Sequence, residues 1–224
     1  MSAEEASDKI KFIRKVYAIL SCQLILTAAM IGAVQYSTSF NKFTRSNQGL
    51  VYACCFGAIA SMCAIMCCFG RMVPHNFILL TIFTACEGYM VAGLTAFYPK
   101  ETVLLAGLST ALVTIALTVY ALYTKTDIEI FYAMTFVLCI AMIPVAIIGF
   151  FIHTQFLHIL YCCLGLLFYS IYLIIDTMQI CRKDKFVNGY EFSYDDYVIA
   201  ALQLYIDIIM IFVYILQLLG SGDN

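Results

Sequence analysis

Seven long apolar runs, parted by short polar connections, decide what this chain can fold into. A helix that crosses a bilayer needs roughly 20 consecutive apolar residues. Segments 16–36, 50–69, 77–97, 102–123, 130–151, 156–180 and 197–219 all meet that length. The punctuation falls between them, in stretches such as Arg71-Met72-Val73-Pro74, Tyr98-Pro99-Lys100 and Lys125-Thr126-Asp127. Backbone polar groups in hydrocarbon must be satisfied within the segment itself, which leaves helices for runs of this length. The expected fold is therefore all-α and polytopic, with seven transmembrane helices, the last crossing fully or re-entering. Residues 1–15 form a short tail, 16–219 the membrane domain and 220–224 a second tail. Pro144 lies inside the fifth run, where it removes a helix hydrogen bond and is expected to kink the span.

Composition agrees. Of 224 residues, 63% are hydrophobic and 12% charged, about half the charge of an average soluble domain. A net charge of −2 offers no basic face to neutralise phosphates, so nucleic acid is not an expected partner. The bilayer is. The 11 cysteines include the adjacent pairs Cys54-Cys55, Cys67-Cys68 and Cys162-Cys163, all in apolar runs and without zinc-ligand spacing. They read as small packing residues. The first run lacks a small-residue cleavage site, so no secretory signal is expected.

Basic residues set the orientation. One side collects Lys9, Lys11, Arg14, Lys15, Arg71, Lys125, Arg182, Lys183 and Lys185; the other holds Lys42, Arg45 and Lys100. The excess places the N-terminus in the cytosol.

All 12 Lys and Arg fall in connections or tails, yet three acids do not. Glu87 sits within the third run, Asp176 in the sixth and Asp207 in the seventh. A charged Asp at the centre of a span costs on the order of 3 kcal/mol, and such groups are functional candidates by default. With no base submerged beside them, they can be protonated, share a proton, or bind a cation. At about 100° per residue, Asp196, Gln203, Asp207 and Tyr214 fall on one narrow stripe. Tyr169, Tyr172 and Asp176 share a face of the preceding span. Hydroxyls and amides beside a carboxylate can hold its proton or complete the shell of a hard cation. The same seam could also serve only to join helices.

The residues that carry this pattern are familiar. Ile174-Ile175-Asp176-Thr177, then Tyr194-Asp195-Asp196-Tyr197, then Ala200-Ala201-Leu202-Gln203-Leu204-Tyr205-Ile206-Asp207-Ile208-Ile209 closely resemble the end of the transmembrane Bax inhibitor motif proteins. Phe12-Ile13-Arg14-Lys15-Val16-Tyr17, with Gln23-Leu24 and Thr27 after it, and Phe83-Thr84-Ala85-Cys86-Glu87-Gly88 are similar to its lifeguard and Golgi anti-apoptotic branch. The resemblance covers essentially the whole chain. It implies a seven-helix protein of the endoplasmic reticulum or Golgi membrane. Such a protein would pass Ca2+ down its gradient in a pH-sensitive way and restrain cell death by lowering the releasable store. It implies no cofactor, Ca2+ as the permeant ion, and apoptosis regulators or Ca2+-release channels as protein partners. The family's aspartate pair maps onto Asp176 and Asp207, which are also the candidate Ca2+ ligands. A basic residue able to engage the pair maps onto Arg71, and an acid implicated in permeation onto Asp195. This chain departs in carrying Asp where the lifeguard branch commonly has Glu-Glu, and in a longer loop at 182–193.

Other chemistries fit less well. An intramembrane aspartyl protease also places two Asp in successive late spans, but it wants Gly-x-Gly before the second, where this chain has Leu204-Tyr205-Ile206. A rhomboid-type serine protease would use Gly107-Leu108-Ser109 with His158, yet Thr110 follows in place of Gly. A retinal protein needs a lysine inside a late span. A proton-coupled transporter and a non-conducting scaffold for death regulators stay open. The expectation is a channel rather than an enzyme. Its gate and pH sensor would be Asp176, Asp207 and Arg71. Asp195, Asp196 and Glu87 would line the ion pathway, with Tyr172, Gln203 and Tyr214 in support.

Overall fold

The structure is a computed structural model that describes residues 3–152, 154–181 and 196–221. Among these, all regular structure is helical: α1 (Ala3–Tyr36), α2 (Thr38–Ser46), α3 (Gln48–Ala64), α4 (His75–Thr95), α5 (Lys100–Tyr123), α6 (Ile128–Phe151), α7 (Gln155–Cys181) and α8 (Tyr197–Ser221). A single π-helical turn, Ile65–Phe69, continues α3. Seven of these helices are long and apolar enough to cross a membrane, and each falls on one of the seven apolar runs. The protein is thus a polytopic all-α membrane protein.

The eighth helix is α2, which the hydropathy pattern does not reveal. At nine residues it is too short to span. Its start is nonetheless written locally: Ser37 adopts an extended conformation and its side chain accepts from Phe40 N–H, satisfying one of the donors left free at a helix start. Pro144 lies within α6, which runs on to Phe151. α8 is uninterrupted over 25 residues.

The chain divides into two compact units. The first comprises Met1–Lys100 with Phe192–Tyr205, and the second Glu101–Glu191 with Ile206–Asn224. In the first, Val34 packs with Ala92 and Ala96, flanked by Met30 and Ile31. In the second, Ala121, Phe131, Ile171, Ile174, Ile175 and Met178 form the core. Spans differ sharply in enclosure: 72% of the apolar window of α8 is buried in protein, against 6% for α6. A helix apolar on nearly every face suits such enclosure, whereas α6 turns its apolar surface outward, as lipid permits. Polar side chains on α8 therefore meet protein, and whatever they meet there decides their chemistry.

Candidate functional site

Asp176 and Asp207 come together within the second unit. Their carboxyl groups are hydrogen-bonded to each other, and the residues are only 6% and 4% exposed. The contact requires α8 to reach roughly 8 Å further along the axis than α7 does before the acids are level, since Asp176 lies close to Cys181 while Asp207 is well inside α8. Ionised carboxylates can only accept hydrogen bonds. A bond between two of them therefore requires a proton on at least one. Asp207 Oδ2 is buried and no donor reaches it; Thr177 Oγ1, beside Asp176, is likewise buried without a partner.

Two phenols lie beside the pair. Tyr172 lies near both acids, its ring edge-on to Phe168 at 4.8 Å. Tyr132, at the start of α6, lies near Asp176 and accepts a hydrogen bond from Gln179 Nε2. Sequence reasoning overlooked Tyr132 and Gln179. A clue to the second was present, because Gln179 follows Asp176 by three positions and so shares its face; which phenol it would find on another helix was not legible.

Tyr214 does something different from supporting Asp207. Two turns further along α8, its ring packs at 6.1 Å from Tyr161 and 5.9 Å from Tyr169. A Cβ on Gly165 would overlap that ring, so a residue without a side chain is what lets the Tyr214 ring lie against α7.

Asp196 and Arg71 form the second charged contact, within the first unit. Arg71 Nε donates to Asp196 Oδ1 at 2.6 Å and Nη2 to Oδ2 at 2.8 Å, a two-pronged pair. The Asp196 side chain is 6% exposed and that of Arg71 65%. The local sequence builds this geometry. Gly70 presses on α8, where a Cβ would come within 2.7 Å of Ile199 Cδ1. Asp196 immediately precedes α8, and Ala200 N–H donates to its carbonyl, so its carboxylate sits at the helix's positive end. Lys15 lies 4.7 Å from the centre of the Tyr197 ring, and Phe77 packs on the same ring. Arg71 is thus engaged with Asp196 in this structure. Asp195 lies outside the described residues.

Glu87 is half-buried on α4, close to Tyr205. Gln203 Oε1 is buried with no donor reaching it. Gln23 and Thr27 on α1 were read only as part of a family likeness. Spaced by four, they share a face, and they join a buried network with Thr84 and Tyr205.

A family model described as "Inhibitor of apoptosis-promoting Bax1" matches residues 9–224. Protein lifeguard 3 of Homo sapiens is 34% identical over 218 residues, which is 95% of this chain and 69% of that protein. Its counterpart in Mus musculus is 33% identical over the same shares. The Golgi anti-apoptotic protein of Vaccinia virus (strain Lister) is 30% identical over 216 residues, covering 96% of this chain and 87% of the viral protein. The match spans nearly every residue, including the helices that carry Asp176, Asp207 and Asp196: the chain belongs to the Bax inhibitor motif family of apoptosis inhibitors.

Proposed function

We propose that the protein restrains apoptosis as a pH-sensitive, Ca2+-permeable leak channel of an intracellular membrane, endoplasmic reticulum or Golgi, with its N-terminus in the cytosol. The observation that carries this reading is the hydrogen bond between Asp176 and Asp207, two buried acids whose contact depends on a proton. While that proton is held, α7 and α8 are tied together. Once it leaves, two carboxylates face each other in a medium that screens them poorly, and a packing that separates them becomes favoured. The unmet Asp207 Oδ2 is then free to take a cation oxygen-first, as Ca2+ prefers. Arg71 compensates Asp196 in the present packing; parting of that pair would release a carboxylate, beside Asp195, to gather cations at the cytosolic mouth. Glu87 would face the same path.

The test is Ca2+ flux into proteoliposomes over a pH series, comparing wild type with Asp176→Asn and Asp207→Asn. An amide can donate to the remaining carboxyl at every pH, so both variants should lose the pH response. Flux and pH response equal to wild type in both would overturn the gate. A scaffold for death regulators would be indifferent to these changes, and a proton-coupled transporter would show uptake driven by a proton gradient in place of passive leak.

A further inference from the structure

The buried network of the first unit, which shares no residue with the Asp176–Asp207 pair, has acceptors to spare and its hydroxyl protons already committed. Thr84 Oγ1 donates to Leu80 O at 2.8 Å, so it can only accept the 2.9 Å bond from Gln23 Nε2. Thr27 Oγ1 donates to Gln23 O at 3.0 Å, so the 2.7 Å contact with Tyr205 runs from the phenol to Thr27. Each hydroxyl proton is thus spent, directly or through one relay, on a backbone carbonyl. Apart from the second N–H of the Gln23 amide, and a proton should Glu87 carry one, no donor remains in the cluster. Three acceptors do. Gln23, 5% exposed, has a buried Oε1 that no donor reaches. The Tyr205 oxygen keeps its lone pairs. The Glu87 carboxyl lies near that phenol, next to Gly88, over which Thr27 is placed.

A buried amide oxygen without a donor costs on the order of 1–3 kcal/mol, and a half-buried carboxyl, when ionised, gains from a counter-charge. One guest would relieve both: a positive ion that takes oxygen ligands. We infer that Gln23 Oε1, Tyr205 Oη and Glu87 form a second cation site, for a hard metal ion whose remaining coordination is filled by water. Thr27 and Thr84 are positioning residues, holding Tyr205 by its phenol and Gln23 by its amide nitrogen. This goes beyond the proposed gate, since none of these groups belongs to the aspartate pair.

The experiment is thermal unfolding of the full chain in detergent micelles, in CaCl2, NaCl or N-methyl-D-glucamine chloride at matched ionic strength. Wild type and the Asp176→Asn/Asp207→Asn double variant should both unfold at higher temperature in CaCl2 or NaCl than in the bulky organic salt. The contrast between the two metal salts distinguishes a divalent from a monovalent guest. Glu87→Gln, Gln23→Leu and Tyr205→Phe should each lose at least half of that shift. Should Gln23→Leu fail to fold, Tyr205→Phe, which removes one oxygen and keeps the ring, carries the test. Equal unfolding temperatures in all three salts would overturn the site in favour of water alone. So would a shift that survives in Glu87→Gln and Tyr205→Phe. A shift lost only in the double aspartate variant would place the ion at Asp176 and Asp207, sinking this inference while leaving the gate intact.

Discussion

Asp196, just before α8, and Asp207, in its middle, fall on the same helical stripe, and both are almost wholly enclosed, yet they do opposite chemistry. Asp196 meets a guanidinium that holds both of its oxygens; Asp207 meets another carboxyl. Arginine stays charged at any pH a cell presents, so the first contact needs no shared proton. The second exists only while a proton is there to share. Residue type and burial are alike, and the partner differs. An acid in a membrane protein is thus not a pH sensor because it is buried. What faces it decides whether it can share a proton.

The largest effect should come from separating these roles. Asp207→Asn is expected to abolish the pH response of Ca2+ flux, whereas Asp196→Asn should leave that response in place; proteoliposome flux at several pH values would reveal any exchange of roles. Next comes the clasp. Arg71→Ala leaves an enclosed carboxylate without its guanidinium and should lower the unfolding free energy in micelles by about 1–3 kcal/mol, less than for a fully buried pair because Arg71 is largely exposed. Combining it with Asp196→Asn should recover part of the loss, and simple additivity in that double-mutant cycle would mean the contact is not coupled. Gly165→Ala should cost about 1–3 kcal/mol by pushing on Tyr214, with relief when Tyr214→Leu is added; it leaves both carboxyls in place and should spare the pH response. The smallest effect is expected of Tyr132→Phe. Loss of its bond to Gln179 should change stability by less than about 1.5 kcal/mol and keep the pH response. A response erased as fully as in Asp176→Asn would make this phenol a member of the pair.

Spans were legible because lipid is an unforgiving solvent. Each of the seven helices announces itself by a run of apolar side chains, and the ends of α5, α6 and α8 lie within two residues of where hydropathy changes. α2 was not legible, since nine residues in a connection carry no such constraint. The acids at 87, 176 and 207 were conspicuous for the same reason as the spans: charge in hydrocarbon is costly. Their partners were not. Tyr214 shares the stripe of Asp207, and periodicity alone assigned it to that carboxyl, but the ring stacks with Tyr161 and Tyr169 over Gly165. Gln23 and Thr27 have the spacing of a polar face, yet nothing in the chain says that Thr84 and Tyr205 will meet them.

What the sequence by itself determined is the number of spans, the membrane that must surround them and the acids that cannot be at ease there, because these follow from the transfer of side chains into hydrocarbon, one segment at a time. Tertiary structure alone decided that Asp176 finds Asp207, that Arg71 finds Asp196, and that Gln23 keeps an oxygen no donor reaches. Those outcomes depend on distances of a few ångströms between helices remote in the chain, and no local preference encodes them.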